Sequence, residues 1–362
     1  MLDALQRTRL IHNKEMAFST MKKIIALVSI NALLLPLAAT AHHSIFGRFD
    51  GENLAEIEGV VTAVSWRNPH ITFLLSRTNE NGEEEIWDIE STSMSNLRRW
   101  QIEPGFMQAG DRVRIAGNPS VRGRNELYAV HVLIPSGEEV LIGASLEPRW
   151  ANDTLASRPQ MLGNNGGSDL GIFRVWSHAG EMLFPETVTP NFDFSFYPLT
   201  QEARASAENF NRLTDSPILN CEPKRMPIIM EQPYPMEIIE KDENTIVLQM
   251  EEYDTIRTIY LNGSMPISLQ ANPLGNSSGR WEGDTLVVST SGMNWGYFDT
   301  IGIPASEQIQ TTERFTLSED GSRLDYRMTV TDPATFTEPV ELEKFWLWYP
   351  EVTVQPYECL AE

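Results

Sequence analysis

EIEGVVTAVSWRNPHITFLLSRTNENGEEEIWDIEST, residues 56–92, decides the fold class. EIEGVVTAVSW alternates apolar and polar residues and reads as a strand. Asn68-Pro69 turns the chain, HITFLLSRT is a second strand, NENGE a hairpin turn and EEIWDIEST a third strand. SNLRRWQI follows, with Leu97 and Trp100 three apart behind Ser95 as N-cap, so a short helix is expected before Pro104-Gly105 ends it. AGDRVRIAGNPSV and ELYAVHVLIP complete five strands. A helix between the third and fourth strands is the order of an OB-fold barrel; another small β-barrel is the alternative. OB barrels gather ligands in the loop after the first strand, here WRNPH.

Outward from this domain, residues 42–143, a Gly-, Asn- and Pro-rich connector is expected over 144–234. It holds one apolar stretch, GIFRVW, that reads as a stray strand, and one helix at TQEARASAENFN capped by Thr200. Prolines 223, 227, 233 and 235 then break any regular ladder. Residues 235–362 are again β-rich. NTIVLQMEEY and TIRTIYLNG form a hairpin across Tyr253-Asp254, GRW and TLVVSTS flank Glu282-Gly283-Asp284, and QTTERFTLS meets RLDYRMTV at Glu319-Asp320-Gly321. With ELEKFWLWY last, at least six strands predict an antiparallel calycin-like barrel or curved sheet. The WEGDT run is read as tight-turn chemistry.

Upstream, MKKIIALVSINALLLPLAATA (21–41) has two lysines, an apolar run too short for the roughly 18–20 residues of a membrane span, and Ala39-Thr40-Ala41 as a cleavage site. Residues 1–41 are therefore read as a signal peptide with an upstream leader. The mature chain is expected in the periplasm or outside the cell, with no membrane insertion after cleavage. The full chain carries −22; loss of five Lys/Arg and two Asp/Glu with the leader leaves −25. Such a surface disfavours nucleic acid, because that affinity rests on Lys/Arg neutralising phosphates. A metal ion or a small molecule is the expected partner. The two cysteines, Cys221 and Cys359, are expected to pair in an oxidising compartment, closing a loop of about 140 residues for roughly 4–5 kcal/mol on the chain-entropy model.

AHHS after the leader, GVVTAVSW, NPH and GDRVRIAG resemble a family of exported bacterial proteins known as a domain of unknown function. FRVW, PLTQEARA, the Cys221 segment, RTIYLNG, GRWEGDTLVVST, TERF and TDPATFTEP resemble a companion region of such proteins. The resemblance implies relatives and no activity. Where it implies a histidine after the long hairpin, this chain reads IPASEQ (303–308).

Two constellations carry candidate chemistry. Cleavage after Ala41 makes His42 the first residue, whose α-amino nitrogen and imidazole can chelate one ion; His43 and His70 are the further imidazoles, and copper is the tightest-binding divalent ion for such donors. A solvated His-His terminus and a His70 that caps the second strand are the bland readings. In the second domain, alternation places Arg257 with Thr255 and Ile259, and Glu313 with Thr311 and Phe315. An inward Arg257 or Arg314 among Trp281, Tyr326, Trp346 and Trp348 could hold an anionic or carbonyl group, with Glu251 as its partner or as a general base. The bland reading pairs these charges across strands in solvent. His131 reads as a barrel-wall residue, and His178 has no evident partner. No G-x-S-x-G, H-E-x-x-H, P-loop or dinucleotide fingerprint occurs in the mature chain. The expected function is an exported binding protein for a copper-type metal, a small apolar ligand, or both. The alternative is a cofactor-free isomerase or cyclase using Glu251, Arg257 and Glu313 for proton transfer.

Overall fold

The computed structural model of the protein describes residues 48–68, 70–100, 102–142, 147–155, 170–178, 194–211, 214–216, 222–267, 269–350 and 352–357. Strict alternation shapes the first barrel. In β1 (Ala55–Ser65), Ile57 and Val61 are buried while Glu56, Glu58 and Val60 are exposed. β1 runs antiparallel to β2 (Thr72–Thr78) on one side and to β4 (Arg112–Pro119) on the other, and β2 pairs with β3 (Glu84–Glu90). β5 (Glu126–Leu133) closes the cylinder, antiparallel to β4 and parallel to β3. This is the OB connectivity expected from residues 56–133, and Leu75, Ile89, Leu97, Ile115 and Leu127 fill its core. The β4–β5 ladder shifts register between Ala116 and Gly117, opposite the extra residue Val130, and a Cβ on Gly117 would stand 2.2 Å from the Tyr128 carbonyl oxygen.

The short helix α1 (Met94–Arg99) lies between β3 and β4. Its N-cap is Ser93, whose hydroxyl accepts from the Asn96 amide at 3.1 Å, and not Ser95. Ser95 sits inside the first turn, and its hydroxyl is directed at Glu251. β6 (Glu139–Leu141) and β7 (Thr154–Leu155) extend the sheet beyond β5, so residues read as connector add a strand to the first domain. The Glu139 carboxylate anchors that extension. It receives the amides of Arg149, Trp150 and Ala151 at 2.8–3.1 Å and holds His131 Nδ1 at 2.7 Å, which makes His131 the buried barrel histidine expected.

The second barrel has nine strands, β8 (Val175–His178), β9 (Met236–Asp242), β10 (Thr245–Met250), β11 (Thr255–Leu261), β12 (Asn276–Glu282), β13 (Thr285–Ser291), β14 (Gln310–Leu317), β15 (Arg323–Thr331) and β16 (Val340–Leu347). The expected hairpins are all present. The closing strand, β8, comes from GIFRVW in the expected connector and fits between β16 and β9. β11 and β12 run parallel, so no hairpin joins them. Inward residues of β10, β13, β14 and β15, among them Leu248, Leu286, Phe315 and Met328, form one core with Trp176 and Trp346. α2 (Gln201–Asn209), capped by the Thr200 hydroxyl at 3.2 Å from the Ala203 amide, lays Ala203 and Ala207 on that core. Among the described residues no helix is long and apolar enough to cross a membrane.

Candidate functional site

The WRNPH loop does two different jobs. His70 is held where β2 begins: its Nδ1 lies 3.1 Å from the Ser91 carbonyl at the end of β3. A carbonyl can only accept, so Nδ1 carries the proton of the neutral ring and Nε2 the lone pair. Nε2 faces Glu90 Oε1 at 3.6 Å. Burial is the main cause that holds the imidazole down to about 4, so it is neutral at pH 7. Burial also pushes the Glu90 carboxyl up to about 7, against the opposing pull of Arg48. Arg48 bridges Glu90 Oε2 at 3.3 Å and Glu126 Oε2 at 3.0 Å, and it is the first residue described after the expected mature terminus. His42 and His43 lie outside the described residues.

Two residues earlier, Asn68 reaches into the second barrel. Its Nδ2 donates to Glu251 Oε1 at 2.8 Å while its Oδ1 accepts the Met94 amide at 3.0 Å. The Ser95 hydroxyl donates to the same Glu251 oxygen, and the Gln355 amide donates to Oε2 at 2.9 Å. Glu251 is fully buried, and burial raises its carboxyl despite these donors. The turn that presents it holds Tyr253 at φ 56° and Asp254 at φ 48°, left-handed values that non-glycine residues adopt only when their surroundings enforce them. Enforcement comes from Tyr357, whose ring packs 4.8 Å from Tyr253 and whose amide donates to Asp254 Oδ1 at 3.2 Å.

Arg257 and Glu313 meet inside the second barrel, 1 % and 0 % exposed. Arg257 Nη1 donates to Glu313 Oε1 at 2.8 Å and Nη2 donates to Oε2, a bidentate pair. Nε donates to Ser277 at 3.2 Å, Nη2 to Thr290 at 2.8 Å, and Nη1 also faces Met230 Sδ at 3.5 Å. All five guanidinium donors are thereby engaged. Burial would pull the guanidinium down, and the charge and hydrogen bonds of Glu313 more than offset it, so Arg257 stays charged. Glu313 also accepts from the Tyr326 hydroxyl at 2.8 Å.

Of the residues singled out in the sequence, the structure brings Arg257, Glu313 and Tyr326 together and sets Trp346 beside them, its ring tilted 59° to that of Tyr326 at 5.0 Å. Glu251 stands elsewhere, with Asn68, Ser95 and Gln355. Arg314 is outside the barrel, paired with Glu282 at 2.9 Å, and Trp281 is 42 % exposed. Trp348 stacks on the Arg174 guanidinium at 4.6 Å. His178 offers its carbonyl to Arg99. Sequence reasoning missed Glu90 and read Asn68 as a turn residue and Ser95 as a helix cap, without their contacts to Glu251; only Asn68 carried a signal, as part of the ligand-gathering loop. Cys221 and Cys359 lie outside the described residues.

Fold and site together define a protein built of an OB barrel and a nine-stranded barrel clamped through Glu251. Residues 32–127 match the family of unknown function DUF6152, a stretch that takes in the AHHS segment, β1 to β4 and His70. No curated protein and no solved structure matches the chain.

Proposed function

We propose that this is an exported protein, cleaved after Ala41, that binds a copper-type metal ion through the His42 amino nitrogen and imidazole together with His70, with His43 and Glu90 as the adjacent donors. The observation that carries the reading is the state of His70. Its Nδ1 is anchored on a backbone carbonyl, the arrangement that orients metal-binding imidazoles, and its Nε2 lone pair faces a carboxylate oxygen 3.6 Å away. Two donors each about 2 Å from one ion stand roughly 3–3.5 Å apart, so this pair fits a shared ion. On this reading the terminus supplies the remaining donors; among the described residues no group of three such side chains occurs. His42 lies six positions before Arg48, a reach of up to roughly 20 Å, and Arg48 already touches Glu90. Bound there, copper would supply a Lewis-acid or redox centre.

Mature protein beginning at His42 should take up about one Cu(II) per chain, and His42→Ala and His70→Ala should each weaken uptake at least about ten-fold. Mature protein that takes up no Cu(II), or variants that load as the parent does, would overturn the reading.

A second reading, small-molecule binding or proton transfer inside the second barrel, is favoured by one observation. Thr311 Oγ1, two residues from Glu313 on the same face of β14, is buried without a hydrogen-bond partner among the described residues, as an atom that awaits a polar ligand is. Glu313 and Arg257 would then hold the proton and its counter-charge. Thr311→Val, which keeps the volume, should abolish any thermal stabilisation found by a small-molecule screen; unchanged stabilisation sinks this reading.

A further inference from the structure

Strand register on the outside of the second barrel lines up Arg280, Val287, Arg314, Arg327 and Glu343 in one row across β12 to β16. Arg314 and Arg327 are therefore direct cross-strand partners, and like charges in that position repel. The next row sets Thr316 opposite Asp325 and Asp325 opposite Phe345. A depression of about 350 Å³ opens over these two rows, lined by Arg314, Arg327, Thr316, Asp325, Glu343 and Phe345.

The arginines are only partly answered. Arg314 gives Nη1 to Glu282 at 2.9 Å, and Arg327 gives Nη2 to Glu343 at 2.5 Å; among the described residues neither guanidinium contacts a second carboxylate. Glu282 is shared with Arg280, and Asp325 is taken by Arg323. Arg280, Arg314, Arg323 and Arg327 thus share the three carboxylates of Glu282, Asp325 and Glu343, on a chain of net −22. An anion between Arg314 and Arg327 would relieve their repulsion and accept the donors that Glu282 and Glu343 leave over. Phe345 gives such a ligand an apolar wall.

We propose that this depression binds a small molecule bearing a carboxylate or phosphate group, with the oxyanion seated between Arg314 and Arg327. The site is independent of the metal and of the barrel interior. The test uses the mature chain with inorganic phosphate and with benzoate as probes, at constant ionic strength against sodium chloride. Calorimetric titration and thermal melting should show one saturable site per chain for at least one probe. A preference for phosphate assigns a phosphorylated ligand, and a preference for benzoate an aromatic carboxylate lying on Phe345. Arg314→Gln and Arg327→Gln should each weaken binding about ten-fold or more, and Arg327→Lys, which keeps the charge without the fork, should recover only part of it. These side chains are 43 % and 58 % exposed, so the variants should keep the parent circular dichroism spectrum. Absence of saturation by either probe at about 20 mM, or equal binding by the Arg314→Gln/Arg327→Gln double variant, overturns the proposal.

Discussion

Arg257 and Glu313 show what one buried charge does to its neighbours. Glu313→Gln would leave the guanidinium without a counter-charge in the barrel interior, and is expected to destabilise by about 3–5 kcal/mol in urea unfolding. Arg257→Met with Glu313→Leu removes both charges and is expected to cost less than either single substitution. His70 and Glu90 make a second residue-level prediction, for chelator-treated protein. Glu90 titrates near 7 instead of 4.5, so its stabilising contribution is complete below pH 4.5 and fades as pH rises through 7. His70 titrates near 4 instead of 6.5, so its contribution is complete above pH 6.5 and fades as pH falls through 4. Their slopes oppose each other between these limits. Glu90→Gln should therefore expose a loss of up to about 3 kcal/mol as pH drops from 6.5 to 4, measured by denaturation at each pH. Alternation along a strand made it legible that Arg257 shares a face with Thr255 and Ile259, and Glu313 with Thr311 and Phe315; that these faces turn inward was left open in the sequence and decided by the barrel. Their pairing was not legible, because β11 and β14 are separated by two strands and meet only across the closed barrel.

Among the elements, the β10–β11 turn and the β1–β2 loop are joined by one carboxylate. In a double-mutant cycle, Asn68→Ala and Glu251→Ala should show a coupling of about 1–3 kcal/mol, since both remove the same buried hydrogen bond; additive effects would show that the 2.8 Å contact contributes nothing. The β4–β5 bulge, whose extra residue is Val130 of β5, makes a further test. Gly117→Ala puts a methyl group 2.2 Å from the Tyr128 carbonyl oxygen, and the backbone of β5 must move to admit it. A loss of at least about 2 kcal/mol is expected in chemical denaturation of the first barrel. Sequence pattern located α1 but chose Ser95 over Ser93 as its cap. Both serines fit the local rule, and the distant Glu251 decided which hydroxyl was occupied elsewhere.

At the scale of the molecule, the two barrels have separate hydrophobic cores and meet through polar contacts that centre on Glu251. Breaking that centre should therefore separate their stabilities. Glu251→Ala is expected to turn one thermal transition into two, read by calorimetry; a single unshifted transition would show that the barrels unfold together for another reason. The C-terminal segment contributes to the same junction, because Gln355 and Tyr357 hold Glu251 and the strained turn from the far side.

Alternation, turn residues and a helix between the third and fourth strands were enough to determine an OB-type barrel followed by a second β-barrel, because these signals are local and each strand carries its own. Tertiary structure alone decided that a four-residue strand, Val175–His178, completes the second barrel, that β11 and β12 run parallel, and that Glu251 serves the junction and not Arg257. The reason is physical: these contacts join residues far apart in the chain. Their stability depends on barrel closure and on the burial of charge, and neither leaves a periodic mark in the sequence.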